Sequence, residues 1–186
     1  MQPTNHYHFV THWQLNAQAE EIFRILDEPS ALPRWWPAVY LDLRILEPGD
    51  TNGLGKVVEL YTKGWLPYTL KWKFRSTEKV FPNTLALEAF GDLTGQGRWT
   101  IEKKDDQQCR VTYDWKISAD KPILRHLSFL MKPIFAANHH WAMRKGLESI
   151  QLELLRRRAT SDEELKKIPA PPPPTFPHNV LDNRVF

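Results

Sequence analysis

Residues 6–15, HYHFVTHWQL, alternate with period two. Tyr7, Phe9, Trp13 and Leu15 share one face and His6, His8 and His12 take the other, which predicts a half-buried strand. The period then changes. In AQAEEIFRILDE, Ala19, Ile22, Phe23 and Leu26 form a helical stripe. Asn16 stands at the capping position, and Glu20 and Glu21 suit a helix N-terminus. Pro29 ends that helix, and PSALPRWWP, bounded by Pro33 and Pro37, makes a second short helical turn. Six more strand-like runs follow. Residues 39–46 put Leu41, Leu43 and Ile45 on one face, and residues 56–62, KVVELYT, leave the inward face open. Residues 68–76 alternate Tyr68, Leu70, Trp72 and Phe74 against Thr69, Lys71, Lys73 and Arg75. Residues 84–90 offer Leu85, Leu87 and Ala89. Residues 95–102 offer Gly95, Gly97, Trp99 and Ile101, and residues 108–118 offer Cys109, Val111, Tyr113, Trp115 and Ile117. The breaks carry Gly, Pro, Asn or Asp and are mostly short, as antiparallel hairpins require.

From Lys121 to Arg158 the spacing is helical, with Pro133 expected to kink or divide it into a lead-in helix and a long main helix. At about 100° per residue, Phe135, His139, Ala142, Met143, Gly146, Leu147, Ile150 and Leu154 fall on one side. His139 is the polar exception on that face, while His140 points nearly the other way and Asn138 and Trp141 lie on a neighbouring arc. Residues 159–186 form a tail. Its PAPPPPTFP segment (169–177) favours polyproline conformation and cannot pack a core. It suits an extended arm lying on its own domain better than a PxxP ligand for a protein partner.

Composition narrows the class. The chain has 186 residues, 41% hydrophobic and 25% charged, which is one well-buried domain of ordinary globular type. A net charge of +3 gives no reason to expect a nucleic-acid partner. The positive charge is concentrated in residues 121–158, eight Lys/Arg against Glu148 and Glu153, scattered around the helix as a solvated flank would be. The single cysteine, Cys109, excludes an internal disulfide and fits a reducing compartment. The opening MQPTNHYHF has no secretory pattern, and no window approaches a membrane span, so a cytoplasmic protein is expected. Eight tryptophans are the unusual feature.

Several chemistries fail on spacing. GDTNGLGKV at 49–57 has five residues between the P-loop-like glycines and Val57 in place of the magnesium-holding hydroxyl, and it lies between two strands. GDLTGQG at 91–97 has no following helix to offer phosphate. Cys109 sits on an inward strand face with no activating base and reads as a buried, inert thiol. His6, His8 and His12 face outward without a carboxylate pattern, so no metal site and no cofactor are expected. Glu88 alternates outward and Glu59 is ambiguous, which leaves no general acid/base pair.

One curved antiparallel sheet of seven strands, each with a bulky apolar face, and one long amphipathic helix pack naturally with the sheet wrapped around the helix. The order resembles the START/Bet v 1-like (SRPBCC) superfamily, in its polyketide cyclase/dehydrase branch. The resemblance rests on NAQAEEIFRILDEPSALPRWWP at 16–37, the LEPGDTNGLGKV turn and NHHWAMRKGLESIQLEL at 138–154. It implies an α+β helix-grip fold over residues 1–158, with 159–186 as a Pro-rich tail. It also implies a deep, largely apolar cavity between sheet and helix, of the kind that holds lipids, quinones or polyketides.

Tyr68, Trp72, Trp99, Tyr113 and Trp115 project toward the helix bearing His139 and Met143, and Gly95 and Gly97 leave space among them. These seven side chains are the candidate ligand-binding set. An empty 300 Å3 void would cost roughly 7 kcal/mol, comparable to a domain's whole stability, so either the rings close the space or something occupies it. Binding or carriage of a hydrophobic, ring-containing small molecule is the first functional reading. A polyketide-type cyclase or dehydratase using His139 with Tyr68 or Tyr113 is the second. The third is lipid or quinone handling at a membrane surface through the basic final helix. His139 is either a structural histidine or a polar group on the cavity wall.

Overall fold

The computed structural model describes residues 6–119 and 128–176, with side chains described from residue 132 in the second stretch. Residues 120–127 of the expected lead-in helix and residues 177–186 of the tail lie outside the described residues. The seven strands are β1 (His6–Leu15), β2 (Tyr40–Glu47), β3 (Val57–Lys63), β4 (Thr69–Val80), β5 (Thr84–Gly91), β6 (Leu93–Lys103) and β7 (Cys109–Ala119). They form one antiparallel sheet in the order β1-β7-β6-β5-β4-β3-β2. Between β1 and β2 lie α1 (Ala19–Leu26), a 3-10 turn (Pro29–Ala31) and α2 (Leu32–Trp35). The long helix α3 (Ser128–Arg158) and a short α4 (Asp162–Lys167) close the chain. Alternation and helical spacing predict the curved antiparallel sheet and the long helix, and the fold is the helix-grip arrangement that the resemblance implies.

Period two on the strands creates a single inward face. Trp13 and Leu15 of β1, Leu85 and Ala89 of β5, Ile101 of β6, and Val111, Tyr113, Trp115 and Ile117 of β7 are buried in the core. On α3, Met143, Gly146, Ile150 and Leu154 are buried at helical spacing. The face of β3 left open by sequence is resolved by contacts. Val58, Leu60 and Thr62 turn inward, while Glu59 lies on the outer face, only 5% exposed, beneath Arg44 at 3.3 Å and within 3.7–3.8 Å of Lys73 and Lys71.

Local expectations need correction in four places. α1 is capped by Gln18, not Asn16: the Glu21 carboxylate accepts the Gln18 backbone N–H at 2.9 Å, while the Asn16 carbonyl accepts from Arg158. In β2 the register slips between Tyr40 and Asp42, so Leu41 is the extra residue of a bulge and Tyr40 joins Leu43 on the inward face. Ile45, at the far end of β2 beside a second register shift, is 44% exposed. Pro133 does not divide α3, which runs on through it from Ser128 to Arg158. Pro133 forfeits one backbone bond near the helix start, on an exposed side, and the buried turns that follow outweigh that loss. Finally, Gly95 and Gly97 leave no gap. A Cβ on Gly97 would lie 2.7 Å from the Tyr113 hydroxyl and 2.8 Å from the Trp115 ring, so the glycine seats those rings.

Two features fix α3 against the sheet. Gly146 lies flat on the Trp36 ring, where a Cβ would overlap it. Glu153, 1% exposed, accepts both guanidinium nitrogens of Arg34 at 2.7 and 2.8 Å and the Nε of Arg157 at 2.7 Å. Burial alone would raise the Glu153 pKa, but the bonds from Arg34 and Arg157 outweigh it and hold the carboxyl below its usual range. Arg157 also reaches Glu28 and Arg158 reaches Glu21, so the end of α3 is tied to α1 and the segment after it.

Glu153→Gln should lower stability by about 2 kcal/mol, the worth of charged hydrogen bonds that a neutral amide replaces poorly. Because the folded pKa is depressed, the wild-type contribution is present above the unfolded carboxyl pKa and is lost as pH falls through the folded value. Denaturant melts of both proteins should therefore converge in acid. Gly146→Ala gains about 1 kcal/mol of helix propensity but overpacks a ring clamped by Trp13, Trp35 and Tyr40. Overpacking should win, with a net loss of about 1–2 kcal/mol in urea melts.

Candidate functional site

The alternation that builds the sheet also aims its largest rings at α3, and they do not fill the space beneath it. A hollow of about 150 Å3 remains. All seven candidate side chains line it: Tyr68, Trp72, Trp99, Tyr113 and Trp115 from the sheet side, His139 and Met143 from α3. A second lobe of about 80 Å3 shares Trp36, Tyr40, Trp72, Trp99 and Tyr113 with the first and extends toward Leu26, Trp35 and Leu85.

The aromatic wall is a continuous stack. Trp99 and Tyr113 lie 4.1 Å apart at 20°, and Tyr113 and Trp115 lie 5.5 Å apart at 21°. Trp72 joins at 5.8 Å from Trp115 and donates its indole N–H to Thr62 Oγ1 at 3.0 Å. Cross-strand pairing explains the order, since Trp99 of β6 stands opposite Tyr113 of β7.

His139 is a wall residue with a modest anchor. Its ring stacks on Phe9 at 4.2 Å and 13°, and its Nε2 lies 3.4 Å from Thr11 Oγ1. Burial, with a smaller contribution from His140, depresses its pKa to about 4. The imidazole is therefore neutral at physiological pH. Burial pushes the Tyr68 hydroxyl up to about 12, with Tyr7 adding to the shift, and raises Tyr7, Tyr40 and Tyr113 as well. The phenols around the hollow are protonated donors.

Several lining residues escaped the sequence reading. Tyr7, Trp36, Tyr40, Thr62, Lys63 and Asn138 all border the main lobe. Tyr7 was legible on the inward face of β1, but Tyr40 depends on the bulge and Trp36 on how α2 meets Gly146. Asn138 Oδ1 accepts the backbone N–H of Trp65 at 2.8 Å and of Leu66 at 3.3 Å, tying the β3–β4 loop to α3. Four buried polar atoms make no hydrogen bond among the described residues, and three of them belong to residues lining the hollow: Tyr7 Oη, Trp36 Nε1 and Trp35 Nε1. The fourth is Ser149 Oγ on α3.

Groups set aside on sequence grounds lie away from the hollow. Cys109 is buried, and burial pushes its thiol up. His6, His8 and His12 meet Ser118, Asp114 and Thr112 across the outer face, each at 3.0 Å. Glu88 is exposed. Among the described residues no cluster of three or more His, Cys, Asp or Glu could hold a metal, and no helix is long and apolar enough to cross a membrane. The Pro-rich arm lies on its own domain as far as it is described: Arg156 bonds the Pro169 carbonyl, Thr175 Oγ1 donates to the Trp65 carbonyl at 3.4 Å, and the Lys63 ammonium sits 4.9 Å from the centre of the Phe176 ring.

Residues 6–154 match the profile of the family described as polyketide cyclase / dehydrase and lipid transport. No curated protein sequence matches the chain. Among solved structures, the chain is similar to the ZhuI aromatase/cyclase from Streptomyces sp. R1128, at 16% identity and TM-score 0.65, over 84% of this chain and 98% of that one. It is also similar to a START superfamily protein from Mycobacterium smegmatis, at 14% identity and TM-score 0.59, over 77% and 98% of the two chains. A norcoclaurine synthase point mutant from Thalictrum flavum aligns at 15% identity and TM-score 0.57, over 83% and 97%. At these identities the likeness is one of fold.

The depressed His139 pKa carries a pH signature. Between pH 6.5 and about 4 the unfolded chain takes up a proton that the folded one refuses, so stability should fall as pH drops through that window, by up to about 3 kcal/mol. His139→Gln should flatten that slope in denaturant melts, and the wild-type His139 ring should stay neutral by NMR at pH 5.

Proposed function

The chain belongs to the polyketide cyclase/dehydrase and lipid-transport family, and from that membership we propose that it binds and carries a hydrophobic, ring-containing small molecule between the sheet and α3. The observation that carries the reading is the hollow itself: the rings of Tyr68, Trp72, Trp99, Tyr113 and Trp115 leave about 150 Å3 open. An apolar occupant would supply contacts that the ring faces around this space lack. Aromatic walls with a few polar tips are the usual lining of a small-molecule site.

Binding is favoured over turnover by the protonation states. A general acid or base works best with a pKa near the operating pH. His139 at about 4 and the raised tyrosines stand on either side of that range. The cyclase or dehydratase reading is supported by the place of His139 on the wall and predicts turnover that disappears in His139→Ala while ligand binding persists. The buried lone thiol of Cys109 suits a reducing compartment, in keeping with a cytoplasmic carrier. For a membrane-surface role the final helix offers less charge than its composition suggests, because Arg156, Arg157 and Arg158 are engaged within the protein.

Native mass spectrometry of freshly purified protein, followed by organic extraction, should reveal a discrete bound lipophile. Met143→Trp, which places an indole where α3 faces the hollow, should reduce binding of an apolar fluorescent probe at least tenfold while the protein still melts cooperatively. Unchanged probe binding in that variant would remove the hollow as the binding site.

A further inference from the structure

The Pro-rich arm lies beyond residue 154, where the family match ends, so the family does not account for it. Its burial pattern shows how it is laid down. Ile168, Pro171 and Pro174 are half-buried at intervals of three, and Pro172 widens that face, while Pro169, Ala170 and Pro173 are exposed. Polyproline conformation turns once in three residues. A buried stripe of that period is one face of an extended arm resting on the domain.

Two ties set its course. Arg156, near the end of α3, bonds the Pro169 carbonyl. Farther on, Thr175 Oγ1 donates to the Trp65 carbonyl at 3.4 Å, and the Phe176 ring faces the Lys63 ammonium at 4.9 Å. From Pro169 to Thr175 an extended segment covers about 19 Å. Trp65 is itself bonded to Asn138, so the arm runs back toward the start of α3 and ends beside the loop that Asn138 holds.

That end is a border of the hollow. Lys63, Gly64 and Asn138 line the main lobe. The β3–β4 loop that follows Lys63 is held from two sides: Asn138 Oδ1 accepts the Trp65 and Leu66 N–H groups, and Thr175 takes the Trp65 carbonyl. Among the described residues, none of the arm lines either lobe. The arm bears on the loop and not on the occupant. Its hold is light, because Thr175 and Phe176 are exposed, the hydrogen bond is long and a cation–π contact is a weak tie. Lys63 is 4% exposed, and burial lowers its pKa, so lifting the ring returns that charge to water and offsets part of the contact broken. A Pro-rich segment has little freedom to lose on docking, which lets light ties hold it.

Resting on the ligand-binding reading above, we infer that the arm is a strap that keeps the β3–β4 loop closed against α3, so that entry to the hollow and exit from it require Thr175 and Phe176 to lift from Trp65 and Lys63. The strap sets how fast an occupant exchanges and leaves its affinity nearly unchanged.

The test uses the full chain and the uncharged probe N-phenyl-1-naphthylamine in stopped-flow fluorescence. Thr175→Val combined with Phe176→Ala should raise the association and dissociation rate constants together, each about tenfold, with Kd changed by less than about threefold. A second variant carries Gly at all four of Pro171, Pro172, Pro173 and Pro174. It keeps both ties and loosens the segment between them, so it should speed exchange of the probe and of the Trp65 and Leu66 amide hydrogens. Unchanged probe rates in both variants would overturn the strap and leave the ligand-binding reading standing. A rise in dissociation alone, with binding weakened to match, would place the arm on the occupant and overturn the strap as well. A wild-type protein that binds no probe would bring down the ligand-binding reading, and the strap with it.

Discussion

Where α3 crosses the segment after α1, Gly146 leaves only a hydrogen between the helix backbone and the Trp36 ring. That contact sets how near the helix comes to the sheet, and most of the site follows from it. The Trp36 ring is held edge-on by Trp13 at 5.8 Å and by Tyr40 at 5.2 Å and is tilted against Trp35 at 5.4 Å, so it cannot yield easily. A closer helix would press on those rings, and a more distant one would strip the burial from Met143, Ile150 and Leu154. The hollow is the space left over when a rigid ring fixes that separation.

The helix is anchored on either side of the hollow. Beyond it, the buried Glu153 carboxylate joins Arg34 to Arg157, and Arg158 reaches Glu21. On the other side, Asn138 holds the backbone of Trp65 and Leu66. Between these ties α3 contributes His139 and Met143 to the wall. A cavity costs stability because its lining lacks contact partners, and strong polar ties at both ends let the middle of the helix tolerate that cost. Lining residues with few neighbours on one side are thereby held in place.

Apart from the Lys63 ammonium, which borders the main lobe beside the Phe176 ring, the wall is uncharged. Its phenols stay protonated, its histidine stays uncharged, and its indoles can only donate. Such a wall offers aromatic faces for stacking, with Lys63 at its border. This agrees with the family's description, which joins cyclisation chemistry to lipid transport on one fold. The same scaffold hosts both, since fold alone does not fix activity.

Much of this was legible in the chain. Backbone geometry sets the strand period at two and the helix at 3.6 residues per turn, so alternation put Trp72, Trp99, Tyr113 and Trp115 on one face of the sheet and helical spacing put His139 and Met143 on one face of α3. Those periodicities belong to single elements, and they determined the fold class and most of the wall. Other features depend on how elements meet. Leu41 became a bulge residue and Tyr40 turned inward because β2 had to register against β3. Glu153 looks in sequence like one more surface charge on a basic helix, and only its approach to Arg34, 119 residues away, makes it a buried anchor. Gly97 suggested empty space where the Tyr113 and Trp115 rings instead sit. Whether the rings closed the core was likewise undecidable from sequence. A hollow is the small difference between the volume two surfaces enclose and the volume their side chains fill, and the separation of those surfaces is fixed by contacts such as Gly146 on Trp36, which exist only once the chain has folded.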